Sequence, residues 1–371
     1  MKRLRLLPVF FIGLILVMGA GLIVLPRQEF SSLEKRYLTS PPALTLAGGQ
    51  FSRDMEEYLG DHFPLRANWV GLDARRRLLT GIMAADSVWR LPDGALVESP
   101  LDYDATRLTR NVALLSDFAR EAALPFALVA PPAAGAVSPQ AGYYPYPDEA
   151  VLEGLNPEGI RMVPLFEAFK ASEVPLYYRT DPHWNGQGAY RAYQLASSAL
   201  GFEALPVQAF SVTESPGFFG SAYARSGLWS TPPDILELWD SGAKLSLTFD
   251  GKPETHDSLF FTRHLSEADQ YPVFLDGNHG LTDIINHDRP SGRALLVLKD
   301  SYGNSLVPLL LPHFDRVTVI DLRAYRGNVL SLARENGCDQ ILAVYALRTL
   351  ATGSNFAWLI QGDQRPGATM Q

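Results

Sequence analysis

The sequence predicts an α/β fold: a doubly wound, mostly parallel sheet with a β-rich insertion, preceded by an N-terminal transmembrane helix. Three observations carry this. Helix-then-strand units recur, and their strands are apolar at nearly every position, as strands covered on both faces are. The alternation lapses between about Phe202 and Pro290, where turn signals and short apolar runs replace it. And Leu6 to Pro26 contains no charged residue, a run longer than the ~18 apolar residues that suggest a spanning helix.

Lys2, Arg3 and Arg5 precede that apolar run. Basic residues stay on the cytoplasmic side, so the rest of the chain is expected outside the cytoplasmic membrane, single-pass and anchored. Ala20-Gly21 could mimic a signal-peptidase site, so a cleaved signal is the alternative. Phe51, Met55, Tyr58 and Leu59 share one helical face, Asp61-His62 ends that helix, and Pro64 forces a new start before a second helix at about Ala67–Leu79. Trp89 to Val97, split by Pro92-Asp-Gly94, reads as a small hairpin. From Asp104 the pattern changes: a helix over Ala105–Ala122, a buried strand at Pro125–Ala130, a helix near Pro164–Ala171 and a second strand at Val174–Tyr178. A helix follows at Gly186–Leu200, with Asn185 as N-cap and Gly201 as stop.

Within the insertion, Lys244–Phe249, Ser258–Thr262 and Pro272–Leu275 are apolar runs, with Asp250-Gly251 and Asp276-Gly277 as turn signals. The alternation then returns: strand Arg293–Leu298, helix Ser305–Leu311, strand Arg316–Asp321, helix Asn328–Asn336 and strand Gln340–Tyr345. The tail after Thr352 is polar and expected to fray. The expected boundaries are thus an anchor at 1–28, a helical and hairpin segment at 29–103, an α/β domain at 104–352 with its insertion at about 202–290, and a tail at 353–371.

Composition removes some function classes. A net charge of −8 and a pI near 5.4 leave no basic surplus for phosphates, so no nucleic-acid partner is expected. Cys338 is the single cysteine. It can form no internal disulfide and reads as a small buried hydrophobe.

The chemistry gathers in two loops. Arg179-Thr-Asp-Pro-His-Trp-Asn-Gly-Gln-Gly-Ala-Tyr190 presents Asp181 and His183 on a stretch stiffened by Pro182, at the mouth of a helix. Ser301 lies three residues beyond a buried strand, also at a helix start. Serines cap helices everywhere, so position alone says little. Convergence says more: in open α/β sheets ligands bind beyond the carboxyl ends of strands, and both loops are expected there. Ser301 then has a base in His183, and His183 an orienting carboxylate in Asp181. Candidate oxyanion donors are the Ser301 N–H, the Gly277 N–H and the Asn278 amide, with a plain hairpin turn as the other reading of Gly277-Asn278. Trp184 could stack on a sugar ring or fill the core beneath the loop. A metal at Asp181 and His183 would need a third ligand, from His279 or Asp300. Asp61-His62 could be a second acid/base pair or a capped helix end.

Asp181-Pro-His-Trp184, Lys299-Asp-Ser-Tyr302 and Tyr58-Leu-Gly-Asp-His-Phe-Pro-Leu-Arg66 resemble the DHHW protein family, related to the alginate O-acetyltransferase group (AlgJ/AlgX type) with SGNH-hydrolase-like domains. Phe219-Gly-Ser-Ala-Tyr-Ala-Arg-Ser-Gly227 and Asp276-Gly-Asn-His279 are similar to further family segments. Pro182 departs from the family's name motif, at a position outside the triad. The resemblance implies an SGNH-like fold and an Asp181–His183–Ser301 triad; from the residues themselves no cofactor or metal is expected. Trp184 and Tyr302, with Gly277 and Asn278, would contact substrate. It further implies an exported enzyme acting on a cell-surface polysaccharide, served by a membrane-bound O-acyltransferase as acyl donor. An O-acetyltransferase is the first expectation. An esterase with the same triad is the second, and a non-catalytic glycan-binding or scaffold protein the third.

Overall fold

A computed structural model describes residues 6–43, 49–81, 87–140, 142–288 and 291–360. Lys2, Arg3 and Arg5 lie outside them, as does the tail from 361 onward. The chain divides into two compact units. One comprises 1–88 with 223–231, the other 89–222 with 232–371.

The first unit holds the apolar helix Leu6–Val24, long and apolar enough to cross a membrane, and the helices Gln50–Asp61 and Arg66–Leu79. Asp61 and His62 do not pair with each other. The Asp61 carboxylate takes both guanidinium nitrogens of Arg36 and the N–H and hydroxyl of Thr39. His62 Nε2 lies 3.0 Å from the Thr39 carbonyl, and its ring packs on Tyr58. The helix-end reading of this dipeptide is the one observed.

The second unit is built on seven strands: β1 (Phe126–Val129), β2 (Arg161–Met162), β3 (Leu245–Phe249), β4 (Leu281–Asn286), β5 (Ala294–Lys299), β6 (Arg316–Ile320) and β7 (Gln340–Val344). They run in the order β2-β1-β7-β5-β6-β4-β3. The five from β2 to β6 are parallel, and β4 and β3 extend the sheet antiparallel. Helices α1 (Ala105–Ala122), α2 (Leu165–Lys170), α3 (Gly186–Leu200), α4 (Gly303–Leu310), α5 (Val329–Glu335) and α6 (Leu347–Thr352) cover it. Successive strand residues feed opposite faces. Leu295 and Val297 of β5 join Val129, Val317 and Val344 beneath α2, α3 and α4. Leu296 and Leu298 join Leu128, Ile320 and Ile341 beneath α1, α5 and α6. Two cores share one sheet, which is why β5 is buried at all six positions.

Three expectations are corrected. Val174–Tyr178 is not a sheet strand. Pro175 has no N–H for a ladder, and the segment folds back on the next: Tyr177 bridges Trp184, Tyr178 N–H donates to the His183 carbonyl, and Asn185 N–H to that of Leu176. β2, a two-residue strand too short to read from periodicity, takes the edge place. The insertion does more than decorate, because its β3 and β4 join the main sheet. It also holds the hairpin Ser211–Phe218/Asp234–Asp240, whereas Ser258–Thr262 and Pro272–Leu275 form bridges and short 3-10 turns. Residues 353–360 do not fray: Phe356 and Leu359 are buried on the α1 side.

Candidate active site

The loop 176–185 is closed by its own backbone and caps α3. Asn185 Oδ1 accepts the Gly188 N–H at 2.9 Å, and Gly201 ends the helix at φ 68°. Its tip is held from a second side. Asp234 accepts the N–H groups of Arg179 and Thr180, each at 2.8 Å, and the Thr180 hydroxyl.

On that tip, Asp181 Oδ1 accepts from His183 twice, from the backbone N–H at 3.0 Å and from ring Nδ1 at 2.5 Å. Oδ2 accepts the Ser221 N–H at 2.7 Å. Gly220 lies against the same carboxylate; a Cβ there would fall 2.1 Å from Asp181 Cβ. Burial alone would push the Asp181 carboxyl up. The imidazole and the two backbone N–H groups outweigh burial and hold it well below the usual carboxylate range.

His183 Nε2 lies 2.7 Å from Ser301 Oγ. With Nδ1 engaged by Asp181, Nε2 is the nitrogen left to accept the hydroxyl proton. Tyr271 stacks on the imidazole at 4.3 Å and 16°, and Tyr302 packs at 4.7 Å. The ring is therefore fixed by two aromatic neighbours and a carboxylate.

Ser301 follows β5 in a tight turn into α4. Asp300 holds that turn, accepting the Tyr302 N–H at 3.0 Å, the Ala346 N–H at 2.8 Å and the Thr349 hydroxyl at 2.6 Å. Among the described residues the Ser301 N–H has no acceptor, as expected of a donor ahead of a helix. Lys299, the last residue of β5, is buried. Its Nζ donates to Asn278 Oδ1 at 3.0 Å and lies 3.4 Å from Asp321. Burial pulls its pKa down to about 8, with Asp321 opposing.

The other sequence candidates divide. Asn278 is exposed, and its Oδ1 is held by Lys299 and, at 3.2 Å, by Asn304 Nδ2. With Oδ1 so engaged, the amide N–H groups turn away from both donors. Gly277 does not serve as a donor: its N–H is spent on the Phe274 carbonyl at 3.0 Å, closing a turn at φ 94°. Trp184 is fully buried and donates its indole N–H to Ser305 Oγ at 2.8 Å, so its core reading holds and no sugar can stack on it. Tyr302 is likewise buried. Its hydroxyl donates to the Pro182 carbonyl at 2.5 Å, tying the serine turn to the histidine loop. His279 stacks on Phe249 and faces Asp250 at 3.3 Å, and Asp300 is taken up by the turn, so neither joins Asp181 and His183 as a metal ligand. Burial pushes the Cys338 thiol up to about 11.

Sequence reasoning did not find Gly220, Ser221, Asp234, Tyr271 or the Lys299–Asn278 contact. Two signals were usable: Gly220 and Ser221 lie in the Phe219–Gly227 segment that resembles the family, and Lys299 is a cation closing an otherwise apolar buried strand, which needs a partner.

Against known proteins, the DHHW protein family matches residues 163–320, which shows the resemblance drawn from the Asp181 and Ser301 motifs. No curated protein matches the sequence. A DHHW family protein from Eubacterium siraeum superposes with a TM-score of 0.63 at 22% identity, over 74% of this chain and 94% of that one. PatB1 of Bacillus cereus, solved with a sulfonyl adduct, gives 0.61 at 21% identity over 73% and 97%. The O-acetyltransferase domain of Pseudomonas putida AlgJ is more distant, 0.46 at 16% identity over 74% and 98%.

Proposed function

We propose that this chain, with its DHHW-family region and SGNH-hydrolase-like sheet, is an extracytoplasmic serine-dependent O-acetyltransferase of a cell-surface or exopolysaccharide. The observation that carries the reading is the continuous chain Asp181–His183–Ser301, with contacts of 2.5 and 2.7 Å. Ser301 Oγ attacks the acyl carbonyl of the donor while His183 Nε2 takes its proton. Asp181 stabilises the imidazolium without itself being protonated. The Ser301 N–H and the Asn278 amide are the donors for the oxyanion. His183 returns the proton to the departing group, leaving an acyl-serine. A glycan hydroxyl then gives its proton to His183 and attacks the acyl carbon; the bond from that carbon to Ser301 Oγ breaks, His183 passes the proton to Oγ, and the glycan ester leaves with Ser301 restored. The helix Leu6–Val24 acts as a retained anchor in the cytoplasmic membrane, and a membrane-bound O-acyltransferase supplies the acyl group.

An esterase is the second reading. Ser301 is partly open to solvent, so water can reach the acyl-serine. Acetate release and oligosaccharide acetylation, followed together with an activated acetyl ester as donor, separate the two. Transfer predicts acetylated oligosaccharide at the expense of free acetate; acetate alone, at a rate indifferent to glycan, supports the esterase. Unchanged turnover in Ser301→Ala removes both.

A further inference from the structure

The helix Arg66–Leu79 carries a feature the acyl-transfer chemistry does not use. Leu65, Trp69, Leu72 and Leu79 fall on one stripe at helical spacing, and they are 62, 44, 59 and 89% exposed. The opposite face is spent: Ala74 is buried, and Val70 and Ala74 pack on Gly227. The Trp69 indole N–H donates to the Pro64 carbonyl at 3.1 Å, so the ring can enter an apolar medium without losing a hydrogen bond. The helix holds Arg66, Arg75, Arg76 and Arg77 against one acid, Asp73, a net +3 in a chain whose total is −8.

The structure also places this stripe beside the apolar helix. A Cβ at Gly21, in the last turns of Leu6–Val24, would fall 2.8 Å from Pro64 Cγ. Arg27, just beyond that helix, lies over the Tyr58 ring at 5.7 Å. The stripe therefore begins at the level where the apolar helix ends. An amphipathic helix with leucine and tryptophan on one side, Arg75 at the edge and Arg76 on the stripe between Leu72 and Leu79, where its long stem can lift the charge to the headgroups, suits an anionic bilayer surface.

We propose that Arg66–Leu79 lies in the outer interface of the membrane that Leu6–Val24 crosses, with Leu65, Trp69, Leu72 and Leu79 among the acyl chains and Arg75 and Arg76 at anionic headgroups. This surface fixes the first unit to the bilayer at two places instead of one. The inference rests on Leu6–Val24 being retained, so the test reads the anchor separately.

The full chain, Leu72→Cys, is labelled with a nitroxide and reconstituted in vesicles of phosphatidylethanolamine and phosphatidylglycerol. Buried Cys338 stays unlabelled. Glu56→Cys, on an exposed polar position of the neighbouring helix, is the reference. At Leu72 we expect collisions with dissolved oxygen to rise and those with a water-soluble nickel chelate to fall several-fold below the reference, and the nickel protection to weaken when phosphatidylcholine replaces phosphatidylglycerol. Nickel access equal to the reference overturns the proposal. Protection from both quenchers also overturns it, because a protein surface then covers the stripe. Flotation of the unlabelled chain with the vesicles reports the anchor. A chain that floats with a wet Leu72 loses the stripe alone; one that does not float loses both.

Discussion

Asp61 and His62 are adjacent in the chain, whereas Asp181 and His183 have Pro182 between them, yet only the second pair meets side chain to side chain. The reason is backbone geometry. At a helix end, successive side chains diverge by about 100°, so Asp61 turns to Arg36 while His62 turns to a carbonyl. In the non-helical loop at 180–183, residues two apart face the same way, and the acid also accepts the N–H of His183. Both carboxylates sit well below their usual range, for different causes. Hydrogen bonding from Arg36 dominates at Asp61. At Asp181 burial works against ionisation and the imidazole prevails. A shifted acid is thus no sign of chemistry by itself; what separates the two is the hydroxyl at the far nitrogen of His183.

The same substitution at each site separates the two carboxylates most sharply. Asp181→Asn should cost roughly three to four orders of magnitude in kcat with an unchanged circular dichroism spectrum. Asp61→Asn should leave kcat nearly untouched and lower unfolding free energy by ~1–3 kcal/mol, read by urea titration, because charge-assisted hydrogen bonds go. Equal losses of activity would dissolve the distinction. Gly220→Ala comes next. Its methyl must displace Asp181, so kcat should fall towards the Asp181→Asn level while thermal unfolding moves by only a few degrees.

Lys299 gives a smaller effect with a definite sign. It is charged below its pKa of about 8 and neutral above. As pH rises through 8 the hold on Asn278 weakens and kcat should fall. Stability should move the other way between pH 8 and 10.5: there the unfolded chain binds a proton that the folded chain does not, so this group's contribution rises with pH. In Lys299→Met the limb near pH 8 should vanish, with a lower plateau below it. A limb that persists assigns it to another group. Smallest of all, His62→Ala should remove one hydrogen bond to Thr39, about 1 kcal/mol, and leave the pH profile of kcat in place.

Much of this site was legible in the chain, and the failures are instructive. α1 and α3 match their expected bounds because cap and stop residues mark them; Asn185 and Gly201 do so chemically. β5, β6 and β7 were visible as continuous apolar runs. Val174–Tyr178 was misread because its apolar residues serve a loop core, with Tyr177 bridging Trp184 rather than a neighbouring strand. Asp181 and His183 thus follow no sheet strand, although their loop does meet that of Ser301. Trp184 and Tyr302 show the same limit. An aromatic beside a reactive group can face substrate or fill the floor, and only packing against Ser305 and Pro182 distinguishes them. Gly277 was misassigned because a turn signal does not reveal whether its N–H is already spent. Gly220 and Ser221 were invisible as chemistry, since they act through a bare backbone 40 residues from Asp181.

The proposed chemistry turns on Ser301 as a nucleophile activated by His183. Its most direct test is covalent labelling of the full chain with a fluorophosphonate or sulfonyl fluoride at neutral pH, followed by peptide mapping. Modification is expected at Ser301, lost in Ser301→Ala, slowed strongly in His183→Ala and Asp181→Asn, and unaffected by His62→Ala. An unmodified Ser301, label on Ser305 instead, or labelling at the parent rate without His183 would contradict it.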